Sequence, residues 1–146
     1  MTVRITGSRA RSLPRTDRRL LRSRAVRMLR ELGHSRSELS LSLVNDVRIA
    51  ELNEGWRGKS GPTDVLAFPL LEGEGADSAG DLLGDVVIGI ETAASQARRA
   101  RRSLDDEVAR LMIHGTLHLL GHDHEQEDEA REMRSEERRL WRVLRG

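Results

Sequence analysis

The stretch HGTLHLLGHDH, residues 114–124, carries four of the chain's five histidines; the fifth is His34. Its reading begins with spacing. Residues four apart on an α-helix lie only about 40° apart around the axis, so His114 and His118 present their rings to one side. His122 would extend the same stripe if the helix continued. Gly121 predicts that it does not, because glycine just past a helix end takes positive φ and reverses the chain. Three residues past that stop, His124 can swing back toward the helix face.

The pattern H-x3-H-x2-G-x2-H therefore offers two metal ligands on a helix and one after a glycine turn. The same spacing occurs in metzincin zinc peptidases, with one departure: Gly115 stands where they carry the glutamate that serves as general base. Three neutral imidazoles leave Zn²⁺ an open coordination position, as in catalytic rather than structural sites. Water there could be activated, or a phosphoryl oxygen polarised. The bland alternatives are surface histidines near a helix end, favoured by the dipole, and a structural metal with His122 as fourth ligand. Asp123 is expected to orient a ligand histidine as a hydrogen-bond acceptor.

With 146 residues the chain reads as one domain, residues 1–146, large enough for its own core. The absence of cysteine rules out disulfides and suits a reducing compartment. No apolar run approaches the length of a membrane span. The N-terminal segment MTVRITGSRARSLPR has no apolar core of a secretory signal. Its arginines and serines resemble a transit peptide, but VRI suits a first strand, and a cytoplasmic location is expected. Charge is unevenly spread. Residues 1–60 hold 14 basic and 6 acidic side chains, residues 61–94 hold 7 acidic and no basic, and residues 95–146 hold 11 of each. A basic N-terminal third suits a polyanion partner; a solvated arginine face in an arginine-biased sequence, whose only lysine is Lys59, is the plain alternative.

TVRIT alternates as a short strand. From Arg15 to Gly33, Leu21, Ala25, Met28, Leu29 and Leu32 form a helical stripe; arginines 15, 18, 19, 22, 24, 27 and 30 cover much of the rest. ELSLSLVND has strand period, and Asp46 is expected to cap a short helix, VRIAELNEGW. RGKSGPTD is a loop. VLAFPL is a strand whose proline argues for an edge, and LEGEGADSAGD is an acidic, glycine-rich connection. LGDVVIGI reads as a central buried strand. ETAASQARRARR is a helix. Ser103 with Asp106 forms a capping-box variant that opens the histidine-bearing helix. The tail EQEDEAREMRSEERRLWRVLR is an amphipathic helix with Met133, Leu140, Val143 and Leu144 inward. About four strands and five helices predict an α+β domain: a small mixed four-stranded sheet packed with helices.

Three segments together, HGTLHLLGHDH, LNEGWRGKSGPTDVLAFP (52–69) and LGDVVIGIETAASQA (83–97), resemble the YbeY family of metal-dependent endoribonucleases in content, order and spacing. The family often has tyrosine where His122 stands. The resemblance implies that His114, His118 and His124 bind zinc and that Arg57, in GWRG, is the functional arginine. A guanidinium suits that role, because it forks onto phosphate and can stabilise charge building there. Thr63 and Asp64 are expected to hold the loop carrying Arg57. Phe68 and Trp141 read as core, Trp56 as either core or a base-stacking ring, and His34 as exposed and idle.

The expected function is cleavage of single-stranded RNA in the maturation of small-subunit ribosomal RNA and ribosome quality control. The partners would be the ribosome or its proteins, and the arginines of the first helix would steer RNA. The nucleophile is left open between water and the RNA 2′-hydroxyl, and the base between the metal's own ligand and Asp123. Two rivals stand beside this reading: a metallopeptidase or small-molecule metal hydrolase, which Gly115 argues against, and a ribosome-assembly factor in which metal only orders the fold.

Overall fold

The computed structural model describes residues 2–69 and 82–146. Four strands are found there: β1 (Thr2–Gly7), β2 (Glu38–Val44), β3 (Val65–Pro69) and β4 (Leu82–Gly89). Five helices accompany them: α1 (Arg18–Glu31), α2 (Asp46–Arg57), α3 (Ile90–Ala100), α4 (Leu104–Leu119) and α5 (Glu127–Arg145). The sheet order is β1-β2-β4-β3. β1, β2 and β4 run parallel, and β3 joins β4 antiparallel, so the sheet is mixed. This is the expected α+β fold. The expected acidic connection at residues 71–81 lies outside the described residues.

Side-chain alternation explains the layers. Leu39, Leu41 and Leu43 of β2 all point to one face and are buried there, while Ser40 and Ser42 point to the other. That first face, with Val3, Val86 and Ile88, packs under α1, α4 and α5 in the main core. The opposite face carries a smaller cluster, Ile49 of α2 on Leu66 and Val87. β4 contributes to both clusters, as its continuous apolar sequence predicts for a central strand. β3, ending in Pro69, is an edge strand.

α4 is the central helix, touching β3, β4, α1, α3 and α5. Its buried residues run nearly all round it, including Val108, Leu111, Met112, Ile113 and Leu117. Truncating Met112 or Leu117 to alanine should cost about 2–5 kcal/mol. Ser103 caps its start by accepting from the Asp106 amide at 3.1 Å. The reciprocal half of the expected capping box is not made; Asp106 instead pairs with Arg24 of α1 at 3.1 Å. A further difference lies at α2, whose cap is Asn45 rather than Asp46. Asn45 accepts from the Arg48 amide at 2.8 Å, while Asp46 is the first helical residue and accepts from Thr92 Oγ1 at 2.9 Å.

In α5, Met133, Leu140 and Leu144 are buried, and Val143 packs against the core's rim. Among the described residues no helix is long and apolar enough to cross a membrane.

Candidate metal centre

α4 ends as the glycine predicts. Gly121 has φ 95°. Its amide donates to the His118 carbonyl at 3.0 Å, and the His122 amide donates to the Leu117 carbonyl at 2.9 Å. These two bonds define a Schellman turn, which satisfies carbonyls that the helix end would leave free. The turn carries His124 back beside the last two turns of α4. Ligand nitrogens of His114, His118 and His124 all lie within 4.8 Å of one another, and the Nε2 atoms of His114 and His118 face each other at 3.2 Å. His114 and His118 are half-buried, and His124 is exposed. His122 stands outside the group.

The partner that orients His114 comes from α5. Glu137 Oε1 lies 3.4 Å from His114 Nδ1. A carboxylate only accepts, so Nδ1 carries the proton and Nε2 of the neutral ring keeps its lone pair for an electrophile. Glu137 raises the pKa of His114 above its ordinary value, by hydrogen bonding ahead of the opposing effect of burial, and Asp64 adds to the rise. His118 is shifted the other way: burial lowers it first, then the neighbouring His114 and His124. The two shifts leave His114 the more basic of the two rings.

Asp123 does not take the expected role toward a histidine ring. Its Oδ1 accepts from the backbone amide of His124 at 2.7 Å. An aspartate in a turn reaches the amide next to it more readily than a distant ring. Glu137, 23 residues beyond His114 in the chain, leaves no spacing signal around the motif.

Gly115 has a packing reason. A Cβ built there would stand 2.8 Å from Val86 Cγ1 and 3.3 Å from Val65 Cγ2. α4 rests on the sheet at this glycine, which leaves no room for a base at the position that zinc peptidases use.

Arg57 is the last residue of α2 and is exposed; Gly58, at φ 66°, closes that helix. Among the described residues it makes no ion pair. The loop after it is tied down at two points. Asn53, which is buried, donates Nδ2 to the Gly61 carbonyl at 3.0 Å. Asp64 accepts from the Val65 amide at 2.8 Å and from Gln96 Nε2 at 3.2 Å; Thr63 Oγ1 is 3.4 Å from its Oδ1. The loop thus runs from Arg57 to Asp64, whose charge reaches His114. Thr63 and Asp64 hold it as expected, while the part of Asn53 carries no signal in the sequence.

Trp56 is 72% exposed and meets Phe68 edge-on at 5.8 Å. Phe68 is only partly buried. His34 is half-buried, with Nδ1 3.1 Å from Ser37 Oγ, rather than exposed and idle. In α1, Arg18 binds the Gly7 and Ser8 carbonyls, Arg22 the Val3 carbonyl, and Arg24 pairs with Asp106. Three of the six arginines of α1 therefore hold the fold. A cavity of about 560 Å³ between residues 8–10 and 13–19, Leu43 and Ile90 contains none of the predicted site residues.

A profile of the family Endoribonuclease YbeY matches residues 9–145. The Endoribonuclease YbeY of Anaeromyxobacter sp. (strain Fw109-5) is 49% identical over 98% of this chain and 72% of its own length. That of Anaeromyxobacter dehalogenans (strain 2CP-C) is 50% identical over 86% of this chain, which spans 63% of that relative. That of Geobacter sulfurreducens is 40% identical over 99% of this chain and 96% of its own. In three dimensions the chain is similar to the solution structure of TM1509 from Thermotoga maritima, with TM-score 0.66 and 27% identity over 97% of this chain and 88% of that one. On its sequence and on its fold, the chain belongs to the Endoribonuclease YbeY family.

Proposed function

We propose that this chain, residues 1–146 acting as one domain, is a zinc-dependent endoribonuclease that cuts single-stranded RNA. Its setting would be the cytoplasm, in the maturation of small-subunit ribosomal RNA and ribosome quality control, with the ribosome or its proteins as partners. The observation that carries the reading is the convergence of His114, His118 and His124 around one point, in a chain of this family. The donor set suits zinc. Two nitrogens bound at about 2.0–2.1 Å with a tetrahedral angle between them stand about 3.3–3.4 Å apart, and the His114–His118 separation is 3.2 Å.

His114, His118 and His124 would hold the ion. When bound, Zn²⁺ supplies Lewis-acid polarisation of a phosphoryl oxygen or of water. Glu137 holds the proton on His114 Nδ1 and so keeps Nε2 turned inward. Arg57 would bind the phosphate by a forked pair of hydrogen bonds and offset the charge that builds on it. Gly115 excludes a peptidase-type base, so the glutamate that peptide hydrolysis by this motif requires has no seat.

The test is cleavage of a single-stranded and a duplex RNA of matched sequence by wild type, by Arg57→Glu and by chelator-treated protein, with metal content measured. Wild type should cut the single strand only, and the other two should be strongly impaired. Equal cleavage by all three would mean a contaminating nuclease and end the assignment.

A further inference from the structure

Five arginines that pair with no acid among the described residues converge on one groove. The groove, about 460 Å³, lies between α4 and α5. Arg110 of α4 lines one wall, and Arg134, Arg138, Arg142 and Arg145 of α5 line the other, with Ile113 and Trp141 between them. The other arginines of α5 behave differently: Arg131 pairs with Glu127 and Asp128, and Arg139 with Glu31 and Glu136. So two of the six arginines of α5 are neutralised by acids, and the four that line the groove are not.

The free stripe is costly to the protein by itself. Arg134, Arg138 and Arg142 follow one another at i,i+4, where like charges repel by about 0.2–0.5 kcal/mol per pair. The helix dipole favours cations only in the last turn, which accounts for Arg142 and Arg145 but not for Arg134, Arg138 or Arg110. Trp141 holds Arg110 by a cation–π contact, with the guanidinium 5.7 Å from the ring centroid. The single acid in the groove is Glu137, and its carboxylate is engaged with His114. Position gives the groove its meaning. α4 and α5 run antiparallel here, because Glu137 meets His114 while Trp141, one turn later, meets Arg110, one turn earlier. One end of the groove therefore opens beside the histidine cluster. From Arg134 to Arg145 the stripe covers about 16 Å along the helix, enough for more than one phosphate.

We infer that the α4–α5 groove is a phosphate track that holds the RNA strand on one side of the cleavage point, leading it to His114. This rests on the RNA-cleaving reading proposed above and adds where the strand lies. Guanidinium forks fit phosphate oxygens, and the groove reads backbone charge rather than base sequence.

The experiment is anisotropy of a labelled single-stranded RNA with the full chain across a salt series, with cleavage followed on the same samples. The variants are Arg138→Glu/Arg142→Glu, the milder Arg138→Gln/Arg142→Gln, and a control of equal charge change on the exposed end of α3, Arg98→Glu/Arg99→Glu. Melting curves check that each is folded. Each lost phosphate contact should lower the slope of log affinity against log salt by about 0.7, so both groove variants should lose about 1.4, and the control should keep the wild-type slope. Wild-type affinity and slope in the groove variants would overturn the inference. So would equal losses in groove and control variants, which would mean a general field, and so would a wild type that ignores RNA but binds an acidic peptide through these arginines. The two readings fail separately. If wild type does not cut RNA yet the groove variants alone lose binding, the track stands and the nuclease assignment falls. If wild type cuts and the groove variants bind and cut as it does, the track falls and the assignment stands.

Discussion

Gly115 of α4 lies directly on Val86 of β4, with 2.8 Å between Val86 Cγ1 and the place a Cβ would take. Two effects compete on replacing it. Alanine gains about 1 kcal/mol of helix propensity, but forcing a methyl into a packed interface costs about 1–3 kcal/mol. Val86 is β-branched and stiff at χ1, so it has little freedom to move aside. Gly115→Ala should therefore lower the melting temperature, and Val86→Ala should partly rescue it, with a coupling of at least about 0.5 kcal/mol in a double-mutant cycle. A stabilised Gly115→Ala would contradict the close approach. Gly115→Glu should fail to fold and gain no peptidase activity.

Glu137 should tune the metal site. Glu137→Gln is expected to weaken zinc binding by about 10–100-fold in a chelator-competition assay, with little change in the far-UV spectrum. Its pH signature follows from the two histidines. His114 is raised above its ordinary value, so in metal-free protein it adds stability that is full below its unfolded pKa and is lost as pH rises through the folded one. His118 is lowered, so its contribution is present above its unfolded pKa and is lost as pH falls through the folded one. Melting temperature of chelated protein against pH should lose its alkaline-side decline in Glu137→Gln and keep the acid-side one. An unchanged profile would separate Glu137 from His114.

The glycine turn should matter for metal more than for the fold. Nothing lies within 4 Å of a Cβ at Gly121, so the cost of Gly121→Ala is conformational, from its φ of 95°, and should be about 1–2 kcal/mol. Because His124 hangs from that turn, metal affinity should fall as well. His124→Ala should lose most of the affinity, and His122→Ala should retain it. Equal losses in the last two would bring His122 into the site.

Arg139 ties α5 to α1, with Nη1 2.7 Å from Glu31 on one side and Glu136 on the other. The groups are part-exposed, so Arg139→Met should cost no more than about 1 kcal/mol, and less at high salt. Arg139, by hydrogen bond first, holds Glu136 below the usual carboxylate range. A lowered acid adds stability above its unfolded pKa that is lost as pH falls through the folded one. Arg139→Met should therefore flatten the acid side of the stability profile. An identical acid transition in both proteins would dismiss the pair.

Several elements were legible because their signals are local. The leucine alternation of β2 follows from two-residue periodicity, the central place of β4 from its continuous apolar run and the edge place of β3 from Pro69, each a feature of a single strand. The two capping differences came instead from contacts distant in the chain. Asn45 took the cap predicted for Asp46 because the neighbouring residues compete for the same amides, and Asp46 had Thr92 to bind instead. Asp106 abandoned the capping box because packing brought Arg24 to it.

HGTLHLLGHDH determined by itself that three histidines gather and that the fourth is set aside, because i,i+4 spacing and a positive-φ glycine are conformational facts of eleven consecutive residues. The reason for Gly115, the acid that orients His114, and the division of α5 into paired and unpaired arginines belong to the tertiary structure alone. Val86, Glu137 and Arg110 reach their partners only through the packing of α4 on the sheet and α5 on α4. The distances involved depend on which helix faces meet, and no spacing within one segment records that.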